Sequence, residues 1–202
     1  MGVLTRGKRV QGTAVNLVAQ PTNLAGGSWA PVNATAHPNA GANPVDGLND
    51  SWFLTEDSSV GAVQHDVAQV IGGSSLVGVQ ATFSVFVKEG SRSWVALGAS
   101  GGAQAGWYDV HNGVLGSMAG GTGTITSVGN GWYRISFSYV GTGVAANTVV
   151  VYASTADGTV GYQANGSNSL LLYIPQLNLG AKPLDPQELS GAGRVPLNRR
   201  IR

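Results

Sequence analysis

A chain of 202 residues with 43% hydrophobic content is long enough for one domain with a buried core and some length left for arms. Charged residues at 10%, with 31 Gly and 8 Pro, give the composition of many short strands joined by tight turns. The absence of Cys excludes disulfides, thiolate metal ligands and a Cys nucleophile, and no apolar run approaches the ~18 residues of a membrane-spanning helix.

The net charge of +1 conceals an uneven distribution. Arg6, Lys8 and Arg9 stand near the start with no acid beside them, and Arg194, Arg199, Arg200 and Arg202 close the chain in the same way. The body between them is acidic, with four basic residues against ten acidic ones. Two basic ends on an acidic body predict partner-contact arms that lie on a neighbouring subunit. The domain plan is therefore a basic arm over 1–15, a folded body over 16–183 and a second basic arm over 184–202.

In chain order, residues 16–28 are polar and turn-rich. Residues 29–50 hold Pro31, Pro38 and Pro44 among Ala, Asn and Gly, which predicts a long connection. Strands are predicted over 51–55 (SWFLT), over 63–71, where His65 shares a face with Val63 and Val67, and over 80–88 (QATFSVFVK). A turn at 89–91 leads to a strand over 93–97, followed by a loose Gly-rich loop over 98–105. Further strands are predicted over 106–111 and 122–128. The stretch GNGWYRISFSYV at 129–140 carries the strongest signal. A Gly-Asn-Gly turn feeds strict alternation, with Tyr133, Ile135, Phe137 and Tyr139 on one face and Arg134, Ser136 and Ser138 on the other. It predicts a central strand with one buried and one wet face. TVVVYAS at 148–154 is another strand, and LLLYI at 170–174 suits a strand buried on both faces. No stretch shows sustained helical periodicity. The fold class is all-β: a two-sheet antiparallel sandwich of jelly-roll type with extended terminal arms.

Several segments together carry a resemblance: LTED at 54–57, TFSVFVKEGSRSWVAL at 82–97, WYDVHNGVLG at 107–116, ITSVGNGWYRISFS at 125–138, VYASTADGT at 151–159 and YIPQLNLGAKP at 173–183. The chain resembles the carbohydrate-binding-module-like jelly-roll domain of tailed-phage virion proteins, over roughly residues 16–183. The resemblance implies a non-catalytic β-sandwich located in the virion. After the PQLNLG segment the chain runs into its own basic tail, which favours a small stand-alone subunit over a fibre segment.

The motifs that could carry chemistry fail on context. Gly98-Ala99-Ser100-Gly101-Gly102 matches G-x-S-x-G, but the nucleophile elbow needs a helix after it and a Gly-rich loop follows instead. The G-x-G-x-x-A at 141–146 leads into a strand rather than opening a helix on a phosphate. His37, His65 and His111 lack paired ligand spacing. Glu56-Asp57 reads as an exposed turn, with a structural calcium site as the alternative. No metal or other cofactor and no enzymatic activity are expected. Nucleic acid is not expected as a partner either, because the basic residues lie at the two ends with no aromatics interleaved. Trp94, Trp107 and Tyr133 are the residues for a sugar-stacking platform, with core filling as the competing role. The leading expectation is a capsid decoration or cement subunit that forms homo-oligomers and contacts other virion proteins, the major capsid protein or tail components. The alternative is a glycan-binding module of a tail or fibre that meets host surface glycan.

Overall fold

In the computed structural model, residues 15–73, 75–100, 103–143 and 147–186 are described, and the regular elements among them are strands. They are β1 (Ala30–Val32), β2 (Ala34–Pro38), β3 (Trp52–Glu56), β4 (Val63–Gln64), β5 (Asp66–Val70), β6 (Gln80–Glu89) and β7 (Trp94–Ala99). The second half contributes β8 (Gln104–Asp109), β9 (Val114–Ala119), β10 (Gly121–Gly129), β11 (Trp132–Val140), β12 (Thr148–Ser154), β13 (Gly161–Tyr162) and β14 (Asn168–Leu179). Two six-stranded antiparallel sheets form a sandwich. The first runs β1-β5-β12-β7-β8-β9 and the second β10-β11-β6-β14-β3-β2, while β13 and β4 make a small separate ladder.

Alternation decides which side chains meet between the sheets. Phe83, Val85 and Val87 of β6 face inward with Ile135, Phe137 and Tyr139 of β11 and with Leu170, Leu172 and Leu177 of β14. The first sheet supplies Val67, Val149, Val151, Val95, Leu97 and Tyr108. The Tyr108 hydroxyl reaches across and donates to the Ser136 carbonyl at 2.6 Å. On β14 the parity breaks at Ile174, whose φ of 42° lies in the left-handed region that a β-branched residue rarely adopts. The register to β6 shifts between Tyr173 and Gln176, so Leu172 and Leu177 both reach the core.

The GNGWYRISFSYV strand is an interior strand, but the centre of its sheet is the pair β6 and β14. Its expected wet face is also largely buried. Ser138 meets Thr82 Oγ1 at 3.0 Å, Ser136 meets Thr124 Oγ1 at 2.7 Å, and Arg134 donates to Gln176 at 2.6 Å and to the Leu184 carbonyl. Hydroxyl–hydroxyl rows and the returning segment at Leu184 cover that face, which sequence alternation alone reads as solvent. Leu184 is itself buried, and its amide donates to Asn178 Oδ1 at 3.2 Å.

Other expectations are also corrected. The supposed connection over 29–50 contains β1 and β2, both at sheet edges where a proline is tolerated. The strand over 63–71 is divided at His65, because its ring is drawn inside between the carbonyls of Asn33 (2.8 Å) and Tyr162 (3.1 Å). The loop over 98–105 is much shorter, since β7 runs to Ala99 and β8 begins at Gln104. Strand β9, VLGSMA, carries no apolar alternation to announce it in the sequence. At the start of the body, Leu17 N donates to the Leu177 carbonyl at 2.7 Å, and Asn16 bonds Pro175 O and Leu177 N.

Candidate functional site

Strands β7 and β8 present two tryptophans on the outer face of the first sheet. Val95 and Leu97 point into the core, so Trp94 and Ala96 point out. Ala96 pairs with Trp107 and Trp94 pairs with Asp109, which makes the indoles diagonal neighbours on adjacent strands. Trp29, Trp52 and Trp132 are buried, whereas Trp94 and Trp107 each keep part of their surface exposed.

The register extends this site across four strands: Asp66 of β5, Tyr152 of β12, Ala96 of β7 and Trp107 of β8 form one row. The Tyr152 ring lies over Gly98, where an added Cβ would stand 2.7 Å from Cε2. Ala96, Val150 and Tyr152 form an apolar cluster apart from the main core, joined by Ala68, Trp107 and Val160. The turn after β12 is pinned beside the row. Trp107 Nε1 donates to the Thr159 carbonyl at 3.1 Å. Asp157 accepts from the Ser117 amide at 2.7 Å and from its hydroxyl at 2.8 Å, and an added Cβ on Gly116 would touch both Asp157 and the Trp94 ring. Two partly exposed indoles beside an exposed carboxylate suit a ligand with flat C–H faces and hydroxyl donors. Burial pushes the Asp66 carboxyl up to about 6 against the opposing influence of His65, and burial with the nearby Asp66 pushes the Tyr152 hydroxyl up to about 12.

Tyr133 stands apart from this pair. It lies on the other sheet, packed against the main core, with its ring under Gly113 of the β8–β9 turn. Sequence alone does not single out Tyr152, Asp66 and Asp157. TVVVYAS is apolar on both faces, so its parity did not say that Tyr152 faces outward, and nothing local ties Asp157 to Ser117, 40 positions away.

Glu56 and Asp57 do not form an exposed turn together. Glu56 is buried, and its carboxylate accepts from Arg92 Nη2 (2.5 Å) and Nε (3.0 Å), Tyr162 Oη (2.6 Å), Asn165 N (3.2 Å) and Ser167 Oγ (3.1 Å). Arg92 also lies over the Tyr162 ring at 4.8 Å. Burial raises the Glu56 pKa, but the bonds from Arg92, Tyr162 and the Asn165 amide outweigh it and leave the carboxyl below its ordinary value. With its lone pairs held by protein donors, Glu56 has no oxygen left for a cation. Asp57 caps Ser59 instead, at 3.0 Å to the amide and 2.5 Å to the hydroxyl. Among the described residues, no three His, Asp or Glu side chains are placed to hold a metal ion.

Ser100 adopts a φ of 52° after β7, but its hydroxyl donates to Gln104 (2.8 Å) and accepts from the Thr142 amide (3.3 Å), neither of them a base. Gly141 bridges Val77 ahead of a strand rather than a helix. His65 is buried, His111 meets Glu89 at 2.9 Å on the surface, and His37 lies exposed on β2. The arm residues Arg6, Lys8, Arg9, Arg194, Arg199, Arg200 and Arg202 lie outside the described residues. On the outer face of the second sheet, a concavity of about 460 Å³ is lined by Asn43, Pro44, Lys88, Asn130, Trp132 and Leu171.

No family model matches the chain, and no curated protein matches it in sequence. Among solved structures, the chain is similar to the enzymatically active domain of tailspike protein 4 of bacteriophage CBA120, at 14% identity and a TM-score of 0.45. The match covers 81% of this chain and 21% of that one, so the chain spans about a fifth of that protein's length.

Proposed function

We propose that this chain is a non-catalytic glycan-binding module of a phage virion, carried on a tail or fibre, whose ligand lies across Trp94 and Trp107. The observation that carries the reading is the pairing of two partly exposed indoles on one outer sheet face, with the Asp157 carboxylate beside them. Indole faces meet the C–H faces of a sugar ring, and Asp157 accepts from its hydroxyls. The resemblance of TFSVFVKEGSRSWVAL, ITSVGNGWYRISFS and YIPQLNLGAKP to carbohydrate-binding-module-like domains of phage virion proteins supports the same class. A glycan array and titration against host surface polysaccharide test it. Micromolar-to-millimolar binding is expected, lost in Trp94→Ala at unchanged thermal stability. Silence across polysaccharides of the host overturns the reading.

A capsid decoration subunit is the second reading, favoured by the opposed charges of the basic ends and the acidic body. Exposed ion pairs are individually weak, ~0–1 kcal/mol. Attachment of that kind needs several of them, weakens with salt and is lost when 1–12 and 190–202 are deleted. Incorporation of the shortened chain into particles at the normal level excludes it.

A further inference from the structure

The four strands that end the two sheets are not alike. β1 has three residues and contains Pro31, and β2 has five residues and ends on Pro38. Short strands and prolines are the usual guards against edge-to-edge pairing. β9 has six residues. β10 is nine residues long, GTGTITSVG, with no proline and no charge. Its inner side is used by β11 from Gly121 opposite Tyr139 to Ser127 opposite Tyr133, and a bulge at Val128 then shifts the register before Gly129 meets Trp132. Among the described residues no strand pairs with its other side. A row of main-chain N–H and C=O groups is thereby offered to another strand.

The sequence through β9 and β10 is uncharged and partly apolar, and the nearest cation, Arg134 opposite Thr126 on β11, is turned to Gln176 and the Leu184 carbonyl. Between Asp109 and Arg134 the sequence has no Asp, Glu, Lys or Arg. Val114 and Leu115 of the neighbouring edge strand are 48% and 47% exposed, and Val128 of β10 itself is 39% exposed.

We propose that β10 is a homodimerisation edge, pairing antiparallel with β10 of a second copy about a two-fold axis at Ile125 and joining the two six-stranded sheets into one. The sequence of the strand is suited to its own copy. With the axis at Ile125, the regular stretch over 123–127 pairs with itself, short of the bulge at Val128. On the outer face Thr124 then stands opposite Thr126 of the second copy, both exposed and β-branched. A two-fold contact of this kind is self-complementary by construction. Charge permits a copy here: the strand carries no charge of its own, so a second copy laid against it sets no like charges opposite each other. The proposal does not depend on the glycan reading, because Trp94 and Trp107 lie on the other sheet.

Sedimentation velocity of the full chain over a micromolar concentration series tests it, with Thr124→Lys/Thr126→Lys and Thr124→Lys/Thr126→Glu as the variants. The wild type should show a concentration-dependent dimer. The Lys/Lys pair sets like charges opposite each other twice and should weaken the dimer roughly tenfold or more. The Lys/Glu pair sets opposite charges across the axis and should restore it. Hydrogen exchange of the wild type needs no variant: β10 amides should gain protection as concentration rises. A wild type that stays monomeric, a dimer indifferent to the Lys/Lys pair, or β10 exchange independent of concentration overturns the proposal.

Discussion

Glu56 and Asp66 are both buried carboxyls, and the number of donors around each decides which way it titrates. Glu56 collects five bonds from four residues and is held ionised. Asp66 faces Tyr152, and burial dominates, raising it to about 6. The consequences for stability are opposite. For Glu56, the folded value lies below the unfolded one, so its contribution is present above the ordinary glutamate range and is lost as pH falls through the lowered value. Glu56→Gln should cost about 3 kcal/mol at neutral pH, since it leaves Arg92 half-buried without its counter-charge. The cost should shrink in acid, as read by denaturant unfolding at pH 7 and pH 3. For Asp66, the folded value lies above the unfolded one, so stability falls as pH rises from the ordinary aspartate range to about 6, and the full penalty persists above that. Asp66→Asn should therefore stabilise the protein by about 2–3 kcal/mol at pH 7 and by well under about 1 kcal/mol near pH 4. A variant equally stabilised at both values would place the effect in packing rather than in charge.

At the scale of elements, legibility follows burial. The strands over 80–89 and 132–140 have a clean inner row, and their alternation was readable. β1, β2 and β9 lie at sheet edges, where exposure removes the periodic signal and prolines imitate a loop. β12 and β14 are apolar on both faces, so parity identified the strands but not which side chains face outward. The Trp94–Trp107 pair was half legible, because the residues were visible and the diagonal register was not. The donors to Glu56 were invisible, since Arg92 lies 36 positions away and Tyr162 lies 106 away. The outer row also makes a packing prediction. Gly98 leaves the space that the Tyr152 ring fills. Gly98→Val should destabilise by about 1–3 kcal/mol through overpacking. Adding Tyr152→Ala should cost less than the sum of the two single changes, as a double-mutant cycle would read. Strict additivity would mean that the ring has another resting place.

For the whole molecule, every core residue named above lies within residues 15–186. A chain trimmed to that range should unfold cooperatively with a midpoint close to that of the full chain, by calorimetry. A large drop would show that the removed ends contribute to stability. The topology also bears on kinetics. β6 lies between β11 and β14, and the β14 pairing brings Leu170 opposite Glu89 from 81 positions away. Such non-local ladders predict refolding in milliseconds to seconds rather than microseconds, as stopped-flow fluorescence would record.

The bonds that join Asn16 and Leu17 to Pro175 and Leu177 have a mechanical meaning. They bring the way into the sandwich and the way out of it to the same place. A tether pulled from both ends loads these bonds one after another, as a zip is opened, and peels the first segment off at low force. A pull between one end and the far β8–β9 turn instead loads the ladders of a whole sheet together. The sandwich is therefore soft along one axis and stiff along another, and the direction of a pull decides which of the two it meets.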